Sequence, residues 1–299
     1  MKISGFSFVR NGIQLGYPVK ESILSILPIC DEFIITVGKS EDDTKEQIQA
    51  IGDPKIKIIE TVWDTSMFIG GAINAYQTNI ALNQCSGDWC LYVQADEVVH
   101  EKYLPIIKSR CESFQNNPLV EGFLFDYIHF WGSFYTYQKA RNWYRAEVRI
   151  VRNHIGVQSY QSAQGFRLNG RKLKVLKANA YIYHYGWVRP PNTMKQKKIA
   201  LDSLHHDKDW VKKHNPEPEK PFDYGNLKHL ANFKGTHPKV MNTFITRTKA
   251  KIPINPKSRQ KHKHDDLMTR ILSWIERNVL HFRIGEWKNY VLLKDNHLH

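Results

Sequence analysis

The sequence predicts an α/β protein: a mixed sheet flanked by helices, followed by a helical extension at the C-terminus. Three observations predict it. Apolar runs with strand and helix periods alternate through the first hundred residues, a pattern that calls for a sheet covered on both faces. Residues 120–185 then carry several strand-like runs and few helical signals, which extends the same sheet in mixed or antiparallel fashion. Helical periodicity returns after residue 191. We therefore divide the chain at 190, with residues 1–190 forming the α/β domain and residues 191–299 a helical and basic extension.

The elements follow in order. Residues 3–9 form a short β-type run. Residues 18–27 read as a helix, with Pro18 in its first turn and Val19, Ile23, Leu24 and Leu27 on one face. Residues 33–37 are an unbroken apolar run, as expected of a buried strand. Residues 43–51 are helical, and residues 56–59 supply a third strand. Ile69, Ile73, Tyr76 and Ile80 recur at spacings of four, three and four, the stripe of an amphipathic helix. Residues 89–95 make a fourth strand. Beyond these lie strand-like runs at 122–130, 133–138, 147–151 and 180–185, a helical region at 192–214, a polar loop region, and a last amphipathic helix marked by Met268, Ile271, Leu272, Ile275 and Val279.

Composition sets the class. The 299 residues are 41% hydrophobic and 24% charged, as in a globular chain. No apolar run reaches the ~18 residues of a membrane-spanning helix. Arg10 interrupts the N-terminus before the apolar centre of a signal peptide can form. A cytoplasmic location is expected. Cys30, Cys85, Cys90 and Cys111 show no metal or redox spacing and read as reduced thiols. The 43 Lys and Arg against 29 Asp and Glu give a net charge of +14. That field draws anions: nucleic acid, acidic lipid or phosphorylated small molecules.

Ligands of such sheets sit beyond the carboxyl ends of the strands. Those ends are Val9-Arg10-Asn11, Val37-Gly38-Lys39 and Gln94-Ala95-Asp96. The last is the sharpest signal, because an apolar strand stops at Asp96-Glu97 and apolar character then resumes. An unpaired carboxylate inside a strand costs free energy, so acids placed here serve a ligand or start a helix. A hard divalent cation would bind them together with phosphate oxygens.

The order of these features resembles family 2 glycosyltransferases of the GT-A fold, in particular the bacterial branch that builds cell-surface polysaccharide. The resemblance runs over about residues 1–190. It rests on the first strand ending at Asn11, on Ser40-Glu41-Asp42-Asp43-Thr44, on Asn79-Ile80-Ala81-Leu82, and on Gly87-Asp88-Trp89 leading to Gln94-Ala95-Asp96. It implies a GT-A-like (Rossmann-like) sheet and a nucleotide-sugar donor bound by Val9, Asn11, Gly38, Asp42, Asn79, Gln94 and Ala95. It implies Mn²⁺ or Mg²⁺ held by Asp96 and by His184, which ends a Tyr/Ile strand just before Gly186-Trp187. Two departures stand out. Gln94 replaces the first acid of the strand-end pair, and Val37-Gly38-Lys39 lacks the acid that usually meets the nucleobase.

An inverting transfer needs a general base. Glu147, the only acid between Asp126 and Asp202, is the first candidate and Asp126 the second; Gln164 stands where a related chain often carries an acid. Arg10, Arg149 and Lys39 are candidate phosphate contacts. Trp131 and Trp143, among the crowded aromatics of 127–144, are candidate walls of the acceptor site. The implied acceptor is a surface glycan or lipid-linked glycan. Seven Lys and Arg between Arg247 and Lys263, followed by the last helix, suit peripheral contact with an anionic membrane; the alternative is a helix packed on the domain beside a solvated loop. Competing functions are a degenerate nucleotide-sugar-binding protein, a nucleotidyltransferase, for which the first loop lacks the glycines, and a basic nucleic-acid-binding protein. Nucleic acid is not expected as a partner, since no recognition helix is legible.

Overall fold

In the computed structural model the chain is described over residues 1–249, 251–252 and 258–295. Its first part alternates β1 (Ile3–Val9), α1 (Val19–Ile26), β2 (Glu32–Gly38), α2 (Thr44–Gln49), β3 (Ile56–Thr61), α3 (Ala72–Asn83) and β4 (Trp89–Tyr92). Then come β5 (Glu97–Val99), α4 (Leu104–Ser113), β6 (Gly122–Trp131), β7 (Thr136–Tyr137), β8 (Ala146–Arg152), β9 (Val157–Tyr160), β10 (Gly165–Leu168), β11 (Arg171–Lys172) and the long β12 (Lys174–Trp187). The remainder holds α5 (Pro191–Ser203), α6 (Lys208–His214), β13 (Ala231–Asn232), α7 (Asn242–Lys249), α8 (Leu267–Ile275) and β14 (Val291–Leu292).

The main sheet runs β13-β7-β6-β8-β4-β1-β2-β3, with β12 pairing β6, β5 and β14. β1, β2, β3 and β4 are mutually parallel where they pair, β8 is antiparallel to both β4 and β6, and β12 is parallel to β6. The fold class is the one expected: a mixed α/β sheet flanked by helices. Every residue of β2 is buried, which is why that run shows no polar alternation. One core cluster joins the sheet to α1 and α4 through Ile23, Phe33, Trp89 and Ile107. A second, on α3 and the β9–β10 hairpin, includes Leu82, Tyr92 and Phe166. A third is aromatic, and joins Phe130, Trp131 and Tyr185 to Tyr224, Met241 and Phe244 from beyond residue 190. The four cysteines are free and buried.

Several elements differ from expectation, with physical reasons. The fourth strand stops at Tyr92. The chain turns with the Glu97 N–H donating to Gln94 O, then restarts as β5, antiparallel to β12. α3 begins at Ala72, so Ile69 falls in the preceding turn, and Ile69 and Tyr76 are exposed. The helix instead buries Ile73, Asn74, Gln77, Thr78, Ala81 and Leu82. Polar side chains with partners in the sheet and hairpin set its orientation in place of the isoleucine stripe: Gln77 accepts from the Thr61 hydroxyl of β3, and Asn74 donates to Ser162 in the β9–β10 turn. The run at 133–138 reduces to the two residues of β7, because Ser133 and Thr136 spend their hydroxyls on a turn.

Candidate functional site

A cleft of about 1040 Å³ opens at the carboxyl ends of β1 and β4. Phe8, Trp63 and Phe68 form one wall, Trp143, Tyr144 and Trp187 another. Register places these ends. Phe6 of β1 pairs with Tyr92 of β4, so Val9, Arg10 and Asn11 run on beside the turn at 94–96. β5 then sets Glu97 opposite His184, and the Tyr185 N–H donates to Asp96 O at 2.8 Å. That pairing brings Asp96 and His184 together across 88 residues of sequence.

Asp96 is buried. Its Oδ2 accepts from Lys197 Nζ at 2.8 Å and lies 3.8 Å from His184 Nε2. Lys197, on the buried side of α5, also donates to Gly186 O at 2.7 Å. The imidazole tautomers follow from a chain of contacts. Tyr144 O can only accept, so His129 donates to it from Nε2 at 2.8 Å. Burial holds His129 neutral, well below its usual range, so its Nδ1 accepts, and His184 Nδ1 donates to it at 2.9 Å. His184 Nε2 therefore presents a lone pair toward Asp96. Two electron-rich groups facing each other call for a cation between or beside them. Gly186 keeps that space open, since a Cβ there would fall 2.4 Å from His184 Nε2 and 2.9 Å from Asp96 Oδ2.

The electrostatics agree. Burial pushes the Asp96 carboxyl up, but the cationic Lys197 and Arg189 outweigh it and hold the group ionised, well below the usual carboxylate range. Burial and the neighbouring Arg189 bring the Lys197 ammonium down to about 8, against the pull of Asp96, so it stays charged at neutral pH. Burial lowers His184 as well. Glu97 has a separate task. Arg149 grips it in two hydrogen bonds of 2.8 Å, and the Tyr127 hydroxyl donates at 2.7 Å, all buried. Both charges of that pair are committed to each other, and Arg149 lines the cleft with its guanidinium held by Glu97.

By donor chemistry, Asp96 and His184 fit a divalent cation: one carboxylate oxygen and one imidazole lone pair on the same side of the cleft. No group of three or more His, Cys, Asp or Glu suited to a metal occurs among the described residues. A metal here would complete its coordination with substrate oxygens and water.

Of the residues singled out from sequence, Val9, Arg10, Asn11, Gln94, Ala95, Asp96, Trp143, Arg149, Gln164 and His184 line the cleft. Gln94 points its amide at Ala163 O, 3.3 Å away. The others are not brought there. Gly38 packs under Trp63, where a Cβ would meet the indole nitrogen at 2.4 Å. Asp42 braces the loop after β1, accepting from the Gln14 N–H at 2.7 Å and from Thr44. Asn79 ties α3 to β9 by accepting from the Ser159 N–H at 2.7 Å. Asp126 lies on β6 beside Lys177, 3.7 Å away. Glu147 is buried outside the cleft lining; burial raises its carboxyl to about 7 and leaves Oε2 without a hydrogen-bond partner. Of the two tryptophans, Trp143 lines the cleft and Trp131 sits in the aromatic core. Arg10 lines the cleft over the Trp63 ring, whereas Lys39 is outside it.

Sequence reasoning missed Lys197, although a lysine three residues from buried Met194 on one helix face was a legible signal. It also missed His205, which contacts Ser162 Oγ at 3.3 Å, while Asn74 donates to that hydroxyl at 2.9 Å. Gly71, at φ +71°, lets these loops meet, since a Cβ there would strike Ser162 and His205.

No protein-family model matches the chain, and no curated protein does. Similar solved structures include S. aureus TarS residues 1–349, at 15% identity and TM-score 0.40, covering 71% of this chain and 68% of that one. The same protein in complex with UDP-GlcNAc matches at 18% identity and TM-score 0.33, over 44% of this chain, which spans only 35% of the TarS chain. Glucosyl-3-phosphoglycerate synthase from Mycobacterium tuberculosis, in complex with Mn²⁺, UDP and glucosyl-3-phosphoglycerate, matches at 18% identity and TM-score 0.30, over 44% and 45% of the two chains. Likenesses this distant say nothing of activity.

Proposed function

We propose that the protein is a glycosyltransferase that moves a sugar from a nucleotide-diphosphate donor to a glycan or lipid-linked glycan acceptor, with inversion. The observation that carries the reading is the corner of Asp96, His184 and Lys197 at the carboxyl end of β4, inside a cleft large enough for a nucleotide sugar and part of an acceptor.

In this reading Asp96 and His184 would hold Mn²⁺ or Mg²⁺, which when bound would supply positive charge to offset that on the departing diphosphate. Lys197 supplies a second positive charge at the same place. Val9, Arg10, Asn11, Gln94 and Ala95 border the donor, with Trp63 and Phe68 as a stacking wall for the base. Trp143 and Trp187 face the acceptor sugar. The acceptor oxygen forms its bond to the anomeric carbon as the bond from that carbon to the diphosphate oxygen breaks, and the electron pair leaves with the nucleoside diphosphate. His205 takes the acceptor's proton at an imidazole nitrogen. It replaces Glu147 and Asp126 in that role because it is at the cleft and they are not.

The test is release of nucleoside diphosphate from a panel of nucleotide sugars with candidate acceptors, with and without Mn²⁺. One donor turned over by the wild type and lost in Asp96→Asn supports the reading; turnover equal in both contradicts it. A second reading, donor binding without transfer, is favoured by the neutral Gln94 at the strand end. It predicts donor binding with no product in any acceptor mixture.

A further inference from the structure

We infer that α8 and the turn after it dock the protein on an anionic lipid surface. This goes beyond the transferase reading and does not depend on it. The observation is an amphipathic helix packed the wrong way round. Its inward side is polar: Ser273 is buried and its Oγ accepts from the Arg141 N–H at 2.9 Å. Glu276, also buried, pairs with Arg141 at 3.1 Å and accepts from the Ile284 N–H at 3.1 Å. Its outward side is apolar, with Leu267 66%, Met268 61%, Ile271 45% and Trp274 56% exposed. The apolar surface continues through Val279, Phe282, Ile284 and Trp287, all more than half exposed.

A helix that serves only its own domain turns its apolar stripe inward. This one gives its polar stripe to the domain and presents the other. The sequence left two readings of this helix, packed on the domain or docked on a membrane, and the burial pattern favours the second.

The occupant follows from charge. Lys139, Arg270 and Arg277 line the same shallow groove as Leu267, Ile271 and Trp274, and none of the three cations is in an ion pair among the described residues. The nearby acids are committed: Asp266 caps α8 through the Thr269 N–H, and Asp265 accepts from the His262 N–H. A second copy of a +14 chain would bring like charges face to face. An anionic leaflet offers headgroups for the cations and acyl depth for Trp, Phe, Leu and Ile. No helix among the described residues is long and apolar enough to cross a membrane, so the contact is one of lying on the surface.

The test is sedimentation of the whole chain with vesicles of phosphatidylcholine alone or mixed equally with phosphatidylglycerol, at two salt concentrations. Expected is binding at least tenfold tighter to the anionic vesicles, weakened by salt. Each cation near such a surface strengthens binding about fivefold, so Arg270→Gln with Arg277→Gln should weaken it roughly 20-fold. Trp274→Asp should weaken it at least as much. The double Gln variant, altered only at exposed positions, covers the event that Trp274→Asp misfolds. Asp96→Asn should bind vesicles like the wild type, which separates this claim from the donor site. Equal binding to both vesicle types, or binding untouched by the double variant, would overturn the proposal. So would no vesicle binding together with a dimer that Trp274→Asp dissociates, since a second copy would then be the occupant.

Discussion

Replacing Lys197 by Met probes the cation corner most sharply. The ammonium lies 2.8 Å from Asp96 Oδ2 and 2.7 Å from Gly186 O, with both side chains of the ion pair more than nine-tenths buried. Methionine keeps the contact with Tyr17 and Trp187 but leaves Asp96 short of its nearest partner. Breaking a buried pair from one side costs about 3–5 kcal/mol, which in a chain of this size lowers Tm by roughly 5–8 °C. The same change frees the carboxylate for a metal. A divalent ion about 4 Å from the ammonium would meet a repulsion of up to ~8 kcal/mol at an effective dielectric of 20. The lysine relieves most of this by swinging away, at the cost of its two bonds. Mn²⁺ alone should therefore bind the wild type weakly and Lys197→Met at least tenfold more tightly. Free Mn²⁺ followed by electron paramagnetic resonance gives the affinities, and thermal unfolding shows whether Mn²⁺ restores stability to the variant alone. Equal Mn²⁺ affinity in the two proteins would refute the argument that Lys197 and a metal share Asp96.

Three further outcomes are expected. Gly186→Ala places a Cβ against the buried His184 and Asp96; donor and Mn²⁺ affinity should fall at least tenfold by calorimetry, together with a loss of about 1–3 kcal/mol of stability from overpacking, and unchanged affinity would place the cation elsewhere. His205→Gln should slow turnover by about 10²–10⁴-fold with donor affinity kept, and wild-type kcat would contradict the proton-acceptor role proposed for it. Glu147 gives the pH prediction. Its carboxyl titrates near 7 in the folded protein against an ordinary 4.5, so the native state binds the extra proton and stability falls as pH rises between those values. The loss reaches about 3 kcal/mol above pH 7. Denaturant unfolding of Glu147→Gln should lack that fall and keep turnover; parallel pH curves, or lost turnover, would contradict the placement of Glu147 outside the cleft.

The sheet was legible because its strands are buried on both faces and so declare themselves as unbroken apolar runs, as in β2 and β4. The strand-end corner was legible for the converse reason: acids at Asp96 and Glu97 interrupt such a run. What each acid does was not legible. Glu97 is consumed by Arg149, 52 residues away, and only the β8 register shows it. Asp42 and Asn79 matched motif positions yet serve as braces, because a short polar side chain at a loop or helix edge is equally suited to capping backbone groups. Lys197 was not legible as the partner of Asp96, because a lysine in a basic helix reads as surface until its neighbours on the buried side are known. The last helix was found from its period, but which side it turns to the domain depends on Arg141, Ser273 and Glu276, partners that periodicity does not reveal.

The resting place of a donor's diphosphate is the decisive observation. A crystal grown with Mn²⁺ and a nucleotide sugar that stabilises the protein shows it. We expect the two phosphates against Asp96, His184 and Lys197, with the anomalous signal of manganese beside Asp96. Phosphates lodged outside this cleft, with Asp96 still paired only to Lys197, would contradict it.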